Sequence, residues 1–81
     1  MPSKANVLEF IIYIIREFSR EMKMTVPNAY KYLIKYQGIK FLEKHYGYEH
    51  TLGTDEIIEN VIQVCKNNGG DLGWSYIMDL I

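Results

Sequence analysis

The residue types that can bind a metal ion or take part in catalysis include His45, Glu49, His50, Asp55 and Cys65. Their spacing matches neither the HExxH pattern of zinc enzymes nor the paired CxxC of structural zinc sites. A lone cysteine on the apolar face of a predicted helix is usually a small buried residue. We therefore predict neither a metal site nor a cofactor.

Nucleophilic catalysis by Cys65 with His45 or His50 would require a thiolate beside an electropositive group. Cys65 is expected near the C-terminal end of its helix, where the helix dipole disfavours an anion. No serine lies in a nucleophile-elbow motif. The sequence therefore predicts a protein that is not an enzyme, and no catalytic residue is assigned.

Length and charge narrow the class of protein further. The 81 residues, 48% of them hydrophobic, are expected to form a single helical domain over residues 1–81. A net charge of −1 supplies no general attraction to nucleic acid or to an anionic membrane. Charges interrupt the longest apolar run, so we predict neither a signal peptide nor a membrane span. A single cysteine fits a reducing compartment, and we expect a cytoplasmic protein.

The most hydrophobic stretch, VLEFIIYIIREF at Val7–Phe18, is predicted to be the middle of a long first helix at about 3–23. Ser3 is a suitable N-cap for this helix. The polar residues of the stretch make one narrow stripe at helical spacing. We therefore expect the rest of the chain to cover the first helix on most sides and to leave it the most buried element.

Three more helices are predicted, at about 25–36, 39–46 and 54–67, which gives an all-α fold and a small four-helix bundle. Thr25 is expected to cap the second helix, and Pro27 is tolerated in its first turn. The predicted inward stripe of this helix is Val26, Ala29, Tyr30, Leu33 and Ile34.

Glycines and charges mark the remaining boundaries. Gly38 is predicted to end the second helix in the left-handed conformation, and Gly47 to stop the third. The segment 48–53 has no clear period and is predicted to be irregular. Acidic residues crowd the start of the last helix, where the dipole favours them, and an Asn-Gly-rich turn follows it.

The tail, residues 71–81, is short and apolar, and we expect it to form an interface. It contains Trp74, Tyr76, Ile77 and Met78, and aromatic residues and methionine are types enriched in interface cores. The predicted partner-contact residues come from this tail and from the loop that follows the third helix: Tyr46, Tyr48, His50, Thr51, Trp74, Tyr76, Ile77 and Met78. The tail is expected to pack against another copy or a different protein, or to cover a groove beside the His50 loop.

A DNA-binding alternative arises from the second and third predicted helices, which could form a helix-turn-helix. Lys40, Lys44 and His45 would then face the DNA groove. The predicted third helix is short, and Glu43 lies among these basic residues. An ordinary helical corner explains the same pattern, so nucleic acid is not the favoured partner.

Two segments carry a family resemblance: Tyr46-Gly47-Tyr48-Glu49-His50-Thr51-Leu52, and Cys65-Lys66-Asn67-Asn68-Gly69-Gly70 after an acidic helix. With the apolar first helix, they make the chain resemble a family of small bacterial proteins of unknown function. The resemblance extends over about 7–70. It is carried by a Tyr-x-x-x-His-Thr-Leu segment and a closing Asn-Gly-Gly.

Members of that family are commonly encoded beside proteins that resemble ADP-ribosyltransferases. The resemblance therefore implies a non-enzymatic protein-interaction module, either antitoxin-like or an accessory partner of such a protein. The other expected partner is a second copy of the chain, which would form a homodimer. A structural role for His50, fixing its own loop through the neighbouring backbone, stays open.

Overall fold

The computed structural model describes residues 3–70, and within these residues the chain is all-α, with five helices and no strand. The helices are α1 (Lys4–Glu21), α2 (Val26–Lys35), α3 (Gly38–Lys44), α4 (Tyr46–Glu49) and α5 (Thr54–Asn67). The predicted all-α class is confirmed. The predicted count of four helices is replaced by five, because α4 lies partly in the stretch expected to be irregular.

The predicted N-caps are confirmed. The Ser3 hydroxyl accepts a hydrogen bond from the Asn6 backbone N–H at 3.1 Å, and the Thr25 hydroxyl accepts one from the Asn28 N–H at 3.3 Å. Pro27 lies in the first turn of α2, where its missing N–H leaves no bond unmade. Local chemistry therefore fixes where α1 and α2 begin.

Helices α1 and α5 end in the same motif, in which one left-handed residue reverses the chain. In α1 this residue is Lys23, with φ 56°, and the next N–H, that of Met24, donates to the Ser19 carbonyl at 2.9 Å. In α5 it is Gly69, with φ 99°, and the Gly70 N–H donates to the Cys65 carbonyl at 2.8 Å. The turn predicted after α5 is thus present.

The prediction for Gly38 is wrong. Gln37 adopts the left-handed conformation, with φ 70°, whereas Gly38 is the buried first residue of α3. A Cβ at Gly38 would lie 2.8 Å from Leu33 Cδ2 and 3.2 Å from Cys65 Sγ. Glycine is needed there because three helices approach closely, and not because the backbone requires a positive φ.

The prediction for Gly47 is also wrong. Helix α3 ends at Lys44, and Gly47 lies inside α4 instead of stopping a helix. The His45 carbonyl accepts from the N–H groups of Tyr48 and Glu49, at 3.1 and 2.9 Å, and so starts α4 at once. The chain therefore continues as a second short helix through the loop that was predicted to be irregular.

The core is formed where α1, α2, α3 and α5 meet. Its largest side chains without solvent exposure come from all four helices: Ile14, Phe18, Leu33, Leu42 and Val61. Among the helices of residues 3–70, none is both long and apolar enough to cross a bilayer.

The expectation that α1 is covered on most sides is wrong, and so is part of the inward stripe of α2. Ile11, Ile14 and Ile15 are buried, whereas Ile12 is 44% exposed and Leu8 58%. In α2 only the Ala29–Leu33 side points inward, and the remaining apolar residues of the predicted stripe are exposed: Val26, Tyr30 and Ile34. The other helices pack against one side of α1, so its opposite apolar side is uncovered in the described domain.

Candidate functional site

An apolar groove runs between α1 and α2. Its volume is about 330 Å³, and we call it the α1–α2 groove; it is lined by Ile12, Ile15, Arg16, Val26, Pro27 and Tyr30. Ile12, Val26 and Tyr30 are each between 44 and 48% exposed. A surface of this kind can pack against the apolar side chains of another molecule.

Each of the two helices has a further exposed apolar residue one turn away from the groove lining. Leu8 lies one turn before Ile12 on α1, and Ile34 lies one turn after Tyr30 on α2. Leu8 and Ile34 are 58 and 47% exposed. Each helix therefore carries one more exposed apolar side chain beyond the groove lining.

The sequence-predicted loop residues come together on and beside α4. The rings of Tyr46 and His50 stack with centroids 4.5 Å apart and planes inclined by 7°, and Phe10 meets Tyr46 edge-on at 5.2 Å. His50 Nδ1 lies 2.7 Å from the Tyr46 carbonyl oxygen. These contacts join the loop to α1 and account for His50 as a residue that fixes its own loop.

Tyr48 and Thr51 lie on the outside of this loop. The Thr51 hydroxyl donates to the Tyr48 carbonyl at 2.6 Å, which closes the turn after α4. The Tyr48 side chain is 66% exposed and is therefore free to contact another molecule. Of the predicted loop residues, Tyr48 is the one that exposes a large hydrophobic side chain.

A second depression lies between α3, α4 and α5 and has a volume of about 360 Å³. We call it the Glu49 cleft; it is lined by Phe41, His45, Tyr48, Glu49, Asn60, Gln63 and Val64. Glu49 is only 2% exposed, although it carries a carboxylate. The cleft thus combines a buried acid with exposed and half-exposed rings.

Within residues 3–70, the carboxylate of Glu49 has one hydrogen-bonding side chain. Asn60 Nδ2 donates to both of its oxygens, at 3.1 and 3.2 Å. No lysine, arginine or histidine of the described chain forms an ion pair with it. Because a carboxylate can accept about four hydrogen bonds, capacity is left for a further donor.

Cys65 does not form a reactive site in the described domain. Burial raises the pKa of its thiol from 9.0 to about 11, against a smaller lowering by a hydrogen bond with the Gly38 backbone. The thiol is therefore protonated at neutral pH and is a poor nucleophile. Among residues 3–70, no three His, Cys, Asp or Glu side chains lie close enough to hold a metal ion together.

Comparison with known proteins identifies the family. The family model described as "Protein of unknown function (DUF3791)" matches residues 9–68, which is well over half of the chain. The chain belongs to the DUF3791 family. No curated protein and no solved structure matches it.

The DUF3791 match begins within α1 and ends one residue after α5, so both the α1–α2 groove and the Glu49 cleft lie inside it. The predicted resemblance to a family of unknown function is confirmed at that level. The match ends before the tail. Residues 71–81, with the predicted contacts Trp74, Tyr76, Ile77 and Met78, lie outside the described residues.

Sequence reasoning on this DUF3791 chain missed the pairing of Glu49 with Asn60. A signal was present, because Ile39, Leu42, Tyr46 and Glu49 follow one another at spacings of three, four and three. Continuing that stripe would have placed Glu49 inward. Its partner Asn60, on the amphipathic α5, could not be identified from spacing alone.

Proposed function

We propose that this chain is a non-enzymatic protein-interaction module and that the α1–α2 groove is its docking surface. The observation that carries the proposal is the exposed apolar lining of this groove, in which Ile12, Val26 and Tyr30 are each nearly half exposed. Monomeric proteins rarely expose large contiguous apolar patches unless the patch binds something. Tyrosine and aliphatic residues at its centre match the composition of interface cores.

The charges near the groove suit a protein surface better than a nucleic acid. Arg16 is the charged member of the groove lining, and the other lining residues are apolar or tyrosine. Nucleic-acid interfaces are rich in Lys and Arg and depend mainly on contacts with phosphates. The groove therefore offers too little positive charge for phosphate recognition, and its lining suits the apolar side chains of a protein partner.

The partner we propose is an ADP-ribosyltransferase-like protein encoded nearby, with this chain as its antitoxin-like or accessory subunit. The support for this identity is the family resemblance of the Tyr46–Leu52 and Cys65–Gly70 segments. A second copy of the chain is the competing occupant of the same groove. The experiment below distinguishes the two.

The test is a double substitution, Ile12→Asp with Tyr30→Asp, which places two charges in the groove. The chain is co-expressed with the product of the neighbouring gene, and association is measured by co-purification and by light scattering. Both residues are nearly half exposed, so the variant should fold with wild-type helical content. Loss of association by the folded double variant is the expected result.

Tyr13→Asp is the matched control. Tyr13 follows Ile12 directly and has the same degree of exposure, 46%, but it lies on another side of α1 and bonds Thr54 instead of lining the groove. This variant should still associate. If the groove variant associates like wild type, or if the control loses association equally, the groove is not the docking surface. A wild-type chain that forms dimers on its own would identify a second copy as the occupant.

The DNA-binding regulator remains the alternative function, and one feature favours it: Lys40, Lys44 and His45 are all exposed. Against it, α3 has only seven residues and Glu43 is exposed among these bases. A gel-shift assay with the upstream promoter at two salt concentrations distinguishes it. Salt-sensitive binding lost in Lys40→Ala with Lys44→Ala would support DNA binding.

A further inference from the structure

We propose that the Glu49 cleft is a second recognition site, and that it binds the guanidinium group of an arginine side chain presented by a partner protein. The site is built by α3, α4 and α5, and so shares no residue with the α1–α2 groove. It goes beyond the proposed function, because it assigns a ligand chemistry to a different surface.

The first argument is the unmatched acceptor capacity of the carboxylate. Glu49 is 2% exposed, and its described partner is a single nitrogen, Asn60 Nδ2, shared between both oxygens. Burying a carboxylate without a cation is costly, because one neutral amide replaces little of its hydration. A cation that enters the cleft would supply the missing partner.

The second argument is the shape and chemistry of the walls. Phe41, His45 and Tyr48 bring three rings to the cleft, with Phe41 and His45 centroids 5.1 Å apart. Rings attract a cation through their faces, and a flat guanidinium can stack on them while its N–H groups reach a carboxylate. Lysine has a compact, strongly hydrated charge and would use this arrangement less well. The arrangement therefore favours arginine.

A purely structural role for Glu49 does not require a charge. The contact between α4 and α5 needs one oxygen to accept from Asn60 Nδ2, and the neutral amide of glutamine at position 49 would provide it. Glutamine is nearly the same size and avoids the cost of a buried ion. The substitution Glu49→Gln therefore separates the two roles.

The probe is N-acetyl-L-arginine amide, titrated into the ¹⁵N-labelled full chain. The side-chain NH₂ signals of Asn60 in the nitrogen–proton NMR spectrum report on the floor of the cleft. We expect these signals to shift with increasing probe and to saturate in the millimolar range. The matched ligand is N-acetyl-L-citrulline amide, which has a similar shape but no charge, and should leave them unmoved.

The matched variants are Glu49→Gln and Glu43→Gln, which each remove one acid, the first in the cleft and the second on the exposed surface of α3. Glu49→Gln should keep its thermal unfolding transition and bind the probe about tenfold more weakly, as expected for loss of a charge-assisted hydrogen bond. Glu43→Gln should bind like wild type.

Several outcomes would overturn the proposal. The Asn60 signals could fail to respond to the arginine probe, or respond equally to citrulline. Glu49→Gln could also bind as tightly as wild type. If Glu49→Gln fails to fold, the citrulline comparison on the wild-type chain still decides. The groove variants do not touch this cleft, so a failure here is distinguishable from a failure of the proposed docking surface.

Discussion

The two flanks of α2 carry similar residues but meet different surroundings. On the packed flank, the Tyr32 ring stacks on Phe18 with centroids 5.9 Å apart and contacts Tyr36 at 4.7 Å. On the exposed flank, Tyr30 is 48% exposed and has Val26 and Ile34 beside it. A tyrosine therefore packs against the core on one side of the helix and is exposed on the other.

The two flanks of α2 have different surroundings because small residues lie on the elements that pack against one flank. Gly38 begins α3 in contact with Leu33, and a Cβ at Gly70, which follows α5, would collide with the Tyr32 hydroxyl. Because glycine has no side chain at positions 38 and 70, α3 and the end of α5 can approach α2 closely. On the exposed flank, no helix of residues 3–70 covers the groove. Which flank is closed thus depends on two glycines outside α2, Gly38 and Gly70.

The largest effect we expect separates the two tyrosines. Tyr32→Ala removes a ring packed between Phe18 and Tyr36 and should lower the free energy of unfolding by about 2–4 kcal/mol. Tyr30→Ala removes an exposed ring and should change it by less than about 1 kcal/mol. Chemical denaturation followed by circular dichroism measures both, and equal losses would contradict the distinction between the flanks.

This comparison also explains how much of the fold could be predicted. Helix starts at Ser3 and Thr25 depend on hydrogen bonds within one turn, so local sequence was sufficient. The predicted inward stripe of α2, from Val26 to Ile34, covers a wider arc of the helix than one neighbouring helix can bury. Periodicity does not indicate which part of that arc is buried. That choice depends on Gly38 and Gly70, whose roles appear only when the helices are packed.

The candidate site was predicted less completely than the fold. Tyr46, Tyr48, His50 and Thr51 do lie together, because they are close in sequence and a single turn joins them. The contact between Glu49 and a residue eleven positions later, Asn60, required the three-dimensional arrangement of α4 and α5. Long-range pairs between polar residues leave little periodic signal, whereas apolar faces leave a clear one.

A smaller effect should follow from adding one methyl group to a glycine. Gly38→Ala places its Cβ 2.8 Å from Leu33 Cδ2 and 3.2 Å from Cys65 Sγ, and should cost about 1–3 kcal/mol through overpacking. Gly47→Ala meets nothing within 4 Å inside α4, and should leave stability unchanged or raise it by up to about 1 kcal/mol. Thermal melts of the two variants test this; a neutral Gly38→Ala would show that the packed flank has room to adjust.

The smallest expected effect is a change of stability with pH, and it should involve only the packed flank of α2. Cys65 lies against Gly38, and burial raises the pKa of its thiol from 9.0 to about 11. An acid whose pKa is raised by folding contributes stability that is fully present below the unfolded pKa. That contribution is lost as pH rises from about 9 through the folded pKa of about 11. Between pH 8 and pH 10 the loss should be about 1 kcal/mol.

Because lysine and tyrosine residues titrate in the same pH range, the test compares the loss of stability with pH in two chains, the wild type and Cys65→Ala. Cys65→Ala lacks the thiol, and the constant cost of its smaller side chain cancels when each chain is compared with itself at two pH values. The wild type should lose about 1 kcal/mol more than Cys65→Ala between pH 8 and pH 10 in denaturant unfolding. Equal losses would mean that the thiol ionises as easily in the folded chain as in the unfolded one. Water would then reach the contact between α2, α3 and α5 as readily as it reaches the α1–α2 groove.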